Sequence, residues 1–158
     1  VKPAIAISVH AGTWGKRPAL RALVGRAVSA AMSVAALEVL PGAELSIVLT
    51  DDAGMARING QWRGKDKPTN VLSFPGSQLA PGDAAGPVLG DIVLARETIE
   101  REASLEGKPI DDHLLHLVIH GFLHLFGYDH ENEADAATME NLESRALAVL
   151  GVKDPYAE

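Results

Sequence analysis

The sequence predicts one α/β (α+β) domain over residues 1–158: a small four-stranded mixed sheet packed with about five helices, one of them buried at the core. Three observations lead there. Short runs rich in branched residues alternate with longer stretches of helical period. At 158 residues, 47% hydrophobic and 22% charged, the chain can bury one core, and no repeat or linker divides it. One stretch, residues 110–126, is apolar nearly all round, as an enclosed helix must be.

Taken in order, Ala4–His10 is short and branched and reads as a strand. From Pro18 to Leu40, Leu20, Leu23, Val24, Val28, Ala31, Val34 and Ala35 recur at helical spacing; Pro18 suits a helix start and Pro41-Gly42 a stop. Glu44–Thr50 is a second strand, after which Asp51 or Asp52 caps a short helix to about Gly60. Thr69–Phe74 and Val88–Ala95 are the third and fourth strands. The Gly-, Ala- and Pro-rich stretch from Gly76 to Pro87 reads as a surface insertion, with a flap over a site as the alternative. Arg96–Leu105 is an amphipathic helix. Pro109 opens the next one, with Asp111 and Asp112 favourably placed against its dipole. Glu131–Leu150 is the last, with Met139, Leu142, Ala146 and Leu150 inward.

The central helix has one polar stripe: His113, His116, His120 and His124, at steps of three, four and four. Imidazoles on a buried face need partners, and a metal ion supplies them for two. His120 and His124 leave the same face one turn apart. Gly127 can take the left-handed conformation that ends a helix and turn the chain so that His130 joins them. Three nitrogen donors leave the fourth position of a tetrahedral zinc open, the arrangement of a catalytic site. The spacing resembles that of the metzincin peptidases, but those carry Glu directly after the first His, where this chain has Gly121. That departure points to hydrolysis of something other than peptides. Asp129 adjoins His130 and reads as a turn former in preference to a proton acceptor.

There are no cysteines, so any zinc here is held by histidine or carboxylate. The net charge of −7 is unevenly spread. Residues 1–75 hold nine Lys/Arg against five Asp/Glu, and residues 76–158 hold five against sixteen. A nucleic acid responds to the local field. In the basic part, Arg57, Arg63, Lys65 and Lys67 gather about Trp62, with Asp66 as the acid among them. Cations beside an aromatic can contact phosphates and stack on an unpaired base, which makes Lys65 and Lys67 candidate RNA contacts. An arginine near a zinc site can stabilise charge on a phosphoryl oxygen. No apolar run approaches the roughly 18 residues of a membrane span, and Val-Lys-Pro is not the start of a signal peptide. The expectation is a cytoplasmic protein with no membrane partner.

Together, the motif His120–His130, the stretch Trp62–Pro75 and Gly90-Asp91-Ile92 resemble the bacterial YbeY family of endoribonucleases, over about residues 4–150. The resemblance implies a zinc-dependent, single-strand-specific endoribonuclease with one Zn(2+) per chain. It implies action on ribosomal RNA of the small ribosomal subunit, in 16S rRNA 3′-end maturation and ribosome quality control. It also implies that His120, His124 and His130 bind the metal and that Arg63 is needed for activity. Two other readings stand beside it: a metallopeptidase, and a non-catalytic ribosome assembly factor with structural zinc.

Overall fold

The computed structural model describes residues 2–157. The elements, in chain order, are β1 (Ala4–Val9), α1 (Arg17–Ala35), β2 (Glu44–Thr50), α2 (Asp52–Arg63), β3 (Val71–Pro75), β4 (Val88–Ala95), α3 (Arg96–Leu105), α4 (Ile110–Leu125) and α5 (Glu133–Val149). The strands form one sheet in the order β1-β2-β4-β3. β1, β2 and β4 run parallel, and β3 pairs antiparallel to β4. The sheet is therefore mixed, as the sequence predicts.

Strand periodicity sorts the core into two layers. Leu45, Ile47 and Leu49 of β2 and Ile92 and Leu94 of β4 face the larger cluster, which they share with α1, α4 and α5. The alternate residues Val93 and Ala95, with Val48 packed beside them, meet Met55 of α2 on the opposite face. α4 packs against α1, α3, α5, β3 and β4. Phe122 and Ile119 are fully buried in it, and each such side chain stabilises the fold by roughly 1.5–3 kcal/mol. Packing against these five elements holds the histidine-bearing helix in place.

Several boundaries move for physical reasons. α1 ends at Ala35, not Leu40, because Ala36 turns left-handed at φ 51°. Val39 then forms a bridge with Ala85, and Ala85 N–H donates to Glu38 O. Backbone pairing with the 76–87 segment thus replaces the last helical turn. α2 runs past Gly60 to Arg63, capped by Asp51, whose carboxylate accepts from Gly54 N–H at 2.8 Å. In β4, Leu89 is an extra residue opposite the Glu44–Leu45 step, and Gly90 sits at φ 136°. A Cβ on Gly90 would lie 2.2 Å from Phe74 O, which explains the glycine of the Gly90-Asp91-Ile92 motif.

Both outer strands carry side-chain caps on backbone groups. Arg21 and Arg17 of α1 donate to Ile5 O and Ile7 O of β1, at 2.7 and 2.8 Å. At the other edge Asn70 Oδ1 accepts from Val71 N–H at 2.7 Å, and Asn70 Nδ2 donates to Glu102 of α3. Glu102 also meets Nε2 of the buried His113 at 2.8 Å, so one carboxylate ties α3 to α4 and to the start of β3. Among the described residues, no helix is long and apolar enough to cross a membrane.

Candidate metal centre

α4 ends one turn beyond His120, and its exit determines what joins the two helical histidines. Gly127 has φ 94°, and a Cβ there would meet Leu79 O at 2.1 Å. Only glycine allows both that turn and that contact. Tyr128 N–H bonds back to Leu123 O, and the chain reverses to bring His130 beside α4. The His130 ring lies 5.6 Å from that of His120 and 5.1 Å from that of His124, centroid to centroid. One ring nitrogen from each of His120, His124 and His130 lies within 4.8 Å of the others.

The hydrogen bonds fix the tautomers of the helical pair. His120 Nδ1 lies 3.0 Å from Glu143 Oε2, and His124 Nδ1 lies 2.8 Å from Tyr128 O. Both partners are acceptors, so each Nδ1 carries the proton and each Nε2 presents a lone pair. Those two Nε2 atoms face each other at 3.1 Å. Neither has a hydrogen to give the other, so the contact is a clash of acceptors unless a cation lies between them. The edge of a tetrahedral zinc site with bonds of about 2.0–2.1 Å is roughly 3.3 Å. The donor set therefore fits such an ion. Burial first, and then the neighbouring His120, hold the His124 imidazole below its ordinary range, which keeps it neutral and able to ligate.

Glu143 is the residue of the candidate site that the reading of the sequence missed. It is 1% exposed and sits on α5 among Met139, Leu142, Ala146 and Leu147. The signal was present: helical spacing that turns Met139, Leu142 and Ala146 inward turns position 143 inward too, and a lone acid there needs a purpose. Its Oε1 meets His116 Nε2 at 2.5 Å while Oε2 holds His120. Burial pushes its pKa up, but the hydrogen bonds from His116 and His120 outweigh that and hold it down at about 2. A buried carboxylate behind a ligating imidazole fixes the ring's orientation and raises its basicity. His116 is thus joined to the centre through Glu143.

The three histidines open into a cleft of about 680 Å³ whose other walls include Arg63, Asn70, Ser73 and Leu79. The 76–87 segment is therefore more than a surface insertion. Its Ser77, Gln78 and Leu79 line the cleft, and Ala85 is buried. Arg63, the last residue of α2, donates to Ser73 O at 3.3 Å, and its guanidinium lies 5.8 Å from the centre of the Phe74 ring. Lys65 and Lys67 are exposed in the turn that follows and do not line the cleft. Asp129 Oδ1 accepts from His130 N–H at 2.8 Å, a turn-forming role. Gly121 faces the sheet: a Cβ would lie 3.0 Å from Ile92 Cγ2 and 3.1 Å from Ser73 Oγ, and that hydroxyl donates to Gly121 O at 3.0 Å. β3 and β4 seat directly on α4 where a metzincin carries its glutamate.

Fold and site together define a small α/β protein with an open three-histidine centre in a cleft whose wall carries an arginine. A model of the family described as Endoribonuclease YbeY matches residues 14–151. The chain is 52% identical over 157 residues to the Endoribonuclease YbeY of Allorhizobium ampelinum, covering 97% of this chain and 94% of that one. It is 53% identical over 159 residues to that of Agrobacterium fabrum, with the same coverage. The solution structure of TM1509 from Thermotoga maritima superposes with a TM-score of 0.57 at 23% identity, covering 97% of this chain and all of that one, a likeness of fold. The chain belongs to the YbeY family of endoribonucleases, which are hydrolases acting on RNA.

Proposed function

We propose that this endoribonuclease is zinc-dependent and specific for single-stranded RNA. Its substrate is the ribosomal RNA of the small ribosomal subunit, in 16S rRNA 3′-end maturation and ribosome quality control in the cytoplasm. The whole activity resides in the one domain, with one Zn(2+) per chain held by His120, His124 and His130. The observation that carries the reading is the pair of facing Nε2 lone pairs, 3.1 Å apart, in the cleft that Arg63 also lines.

When bound, zinc supplies Lewis acidity toward a phosphoryl oxygen and lowers the pKa of water to about 7. Glu143 and Tyr128 O hold the two helical imidazoles in the ligating tautomer. Arg63 presents a planar fork of donors suited to the extra charge on a phosphoryl group as it is attacked. β3 on one side and the Ser77–Leu79 stretch on another narrow the cleft. A flexible strand threads such a passage, and a rigid A-form duplex does not. Lys65 and Lys67, outside the cleft, extend the positive path by which RNA approaches. Gly121 argues against peptide hydrolysis, since the place of the peptidase glutamate is filled by the sheet.

The test incubates zinc-loaded and chelated protein with a labelled single strand, its matched duplex and an unfolded protein. The expected result is zinc-dependent cut of the single strand alone, weakening gently with salt because few phosphates are neutralised. Proteolysis without RNA cleavage would establish a peptidase. Three intact substrates with tight binding to small ribosomal subunits would establish a non-catalytic assembly factor.

A further inference from the structure

We propose that the C-terminal segment Asp154–Tyr156 is a positioning element of the metal centre, in which the Tyr156 hydroxyl governs how firmly Glu143 holds His120. The inference rests on the reading of His120, His124 and His130 as metal ligands.

The Tyr156 hydroxyl donates to Glu143 Oε1 at 2.7 Å, the oxygen that also meets His116 Nε2. The other oxygen, Oε2, holds His120 Nδ1. One carboxylate thus takes three donors, two from α4 and one from the tail. The tail is built to deliver that hydroxyl. Val152 N–H returns to Leu147 O at 2.9 Å, fixing the exit from α5. Asp154 Oδ1 then accepts from both Ser144 Oγ, at 2.8 Å, and Tyr156 N–H, at 2.9 Å. Ser144 is the neighbour of Glu143, so the tail is anchored beside the carboxylate that its next residue but one reaches. The Tyr156 ring meets His116 edge-on, with centroids 5.6 Å apart.

A carboxylate offers about four acceptor sites and turns easily about its last torsion. With Glu143 1% exposed, no bulk water takes the place of a lost donor. Removing the hydroxyl leaves Oε1 with His116 alone, and the carboxylate is freer to turn away from His120. Loosening the partner behind a ligating imidazole weakens metal binding. Tyr156 itself is 42% exposed, so its ring contributes little to the core.

The experiment measures zinc affinity by chelator competition for the full chain in four forms: wild type, Tyr156→Phe, Glu143→Gln and the double variant. Tyr156→Phe is expected to bind zinc about three- to tenfold more weakly, since it acts one contact behind a residue of the kind whose loss costs about 10–100-fold. The double variant should bind like Glu143→Gln alone, because both changes act through one carboxylate. Thermal melting of the metal-free Tyr156→Phe protein should fall by only a few degrees, about 2–4 °C. Unchanged affinity in Tyr156→Phe, or losses that simply add in the double variant, would overturn the inference while leaving the metal site standing. A wild type that binds no zinc would remove the metal reading and this inference together.

Discussion

Glu143 and His120, twenty-three positions apart on α5 and α4, meet through a 3.0 Å hydrogen bond at a point where the carboxylate is 1% exposed. Two helices are thus joined at the back of the candidate centre. Glu143→Gln keeps the shape but removes the charge that favours a ligating imidazole. It is expected to lower zinc affinity by about tenfold with little change in circular dichroism. Equal zinc retention under dialysis against a chelator would refute this role.

Arg63→Ala is expected to abolish most RNA cleavage while leaving zinc content unchanged and stability within about 0.5 kcal/mol. Its side chain makes one exposed hydrogen bond, to Ser73 O, and lies over Phe74. Neither is a core contact. Arg63→Lys should recover only part of the activity, because an ammonium cannot reproduce the planar fork. Normal turnover by Arg63→Ala would take the residue out of the mechanism.

Gly121 tests how tightly the sheet is seated on α4. Alanine there gains about 1 kcal/mol of helix propensity. Its Cβ, however, comes within 3.0 Å of Ile92, which is fully buried and cannot give way. Overpacking of this kind costs about 1–3 kcal/mol, so the net effect of Gly121→Ala is a modest loss. Gly121→Glu, the change toward the metzincin pattern, should cost about 3 kcal/mol or more. Urea titration reads both; a stabilised glutamate variant would show that the contact is not limiting.

Acid lability should trace in part to His113. Burial lowers its pKa below the ordinary 6.5, against the opposing pull of its hydrogen bond to Glu102. Below about pH 6.5 the unfolded chain therefore takes up a proton that the folded chain refuses, and stability falls as pH falls toward the depressed folded value. His113→Phe removes that proton. Its melting temperature, measured metal-free from about pH 7 to about pH 5, should fall less steeply than that of wild type. Parallel curves would place the lability elsewhere.

Most of the fold was legible because hydrophobic period and punctuation agree along the chain. All nine elements were readable in order, and the central helix announced itself by being apolar all round except for its histidine stripe. What was not legible depended on tertiary partners. The end of α1 is set by pairing of Val39 with Ala85, a contact with no local signature. The 76–87 segment reads as filler until Leu79 is seen against Gly127. In the site, the histidine spacing pointed to the three rings that come together and could hold a metal ion, since that geometry is local to one helix and one turn. Glu143 and Tyr156 lie on a separate helix and the tail, and only their inward register hinted at the first. Lys65 and Lys67 stood out by charge, yet the turn after α2 keeps them from the cleft wall.

The caps on the outer strands bear on which polymers the protein can accept. In a peptidase, an extended substrate commonly lies along a free strand as one more member of the sheet, matched amide to amide. β3 is the rim beside the histidines, and its lattice is interrupted. Val71 N–H is taken by Asn70, Ser73 O by Arg63, and Pro75 has no N–H to give. At the far rim, Arg17 and Arg21 occupy the carbonyls of Ile7 and Ile5. Both rims are thus partly occupied, which disfavours strand addition and edge-to-edge pairing. A polypeptide entering the cleft finds only an interrupted backbone to pair with. A polyanion that draws Arg63 off Ser73 O exchanges one acceptor for a stronger one.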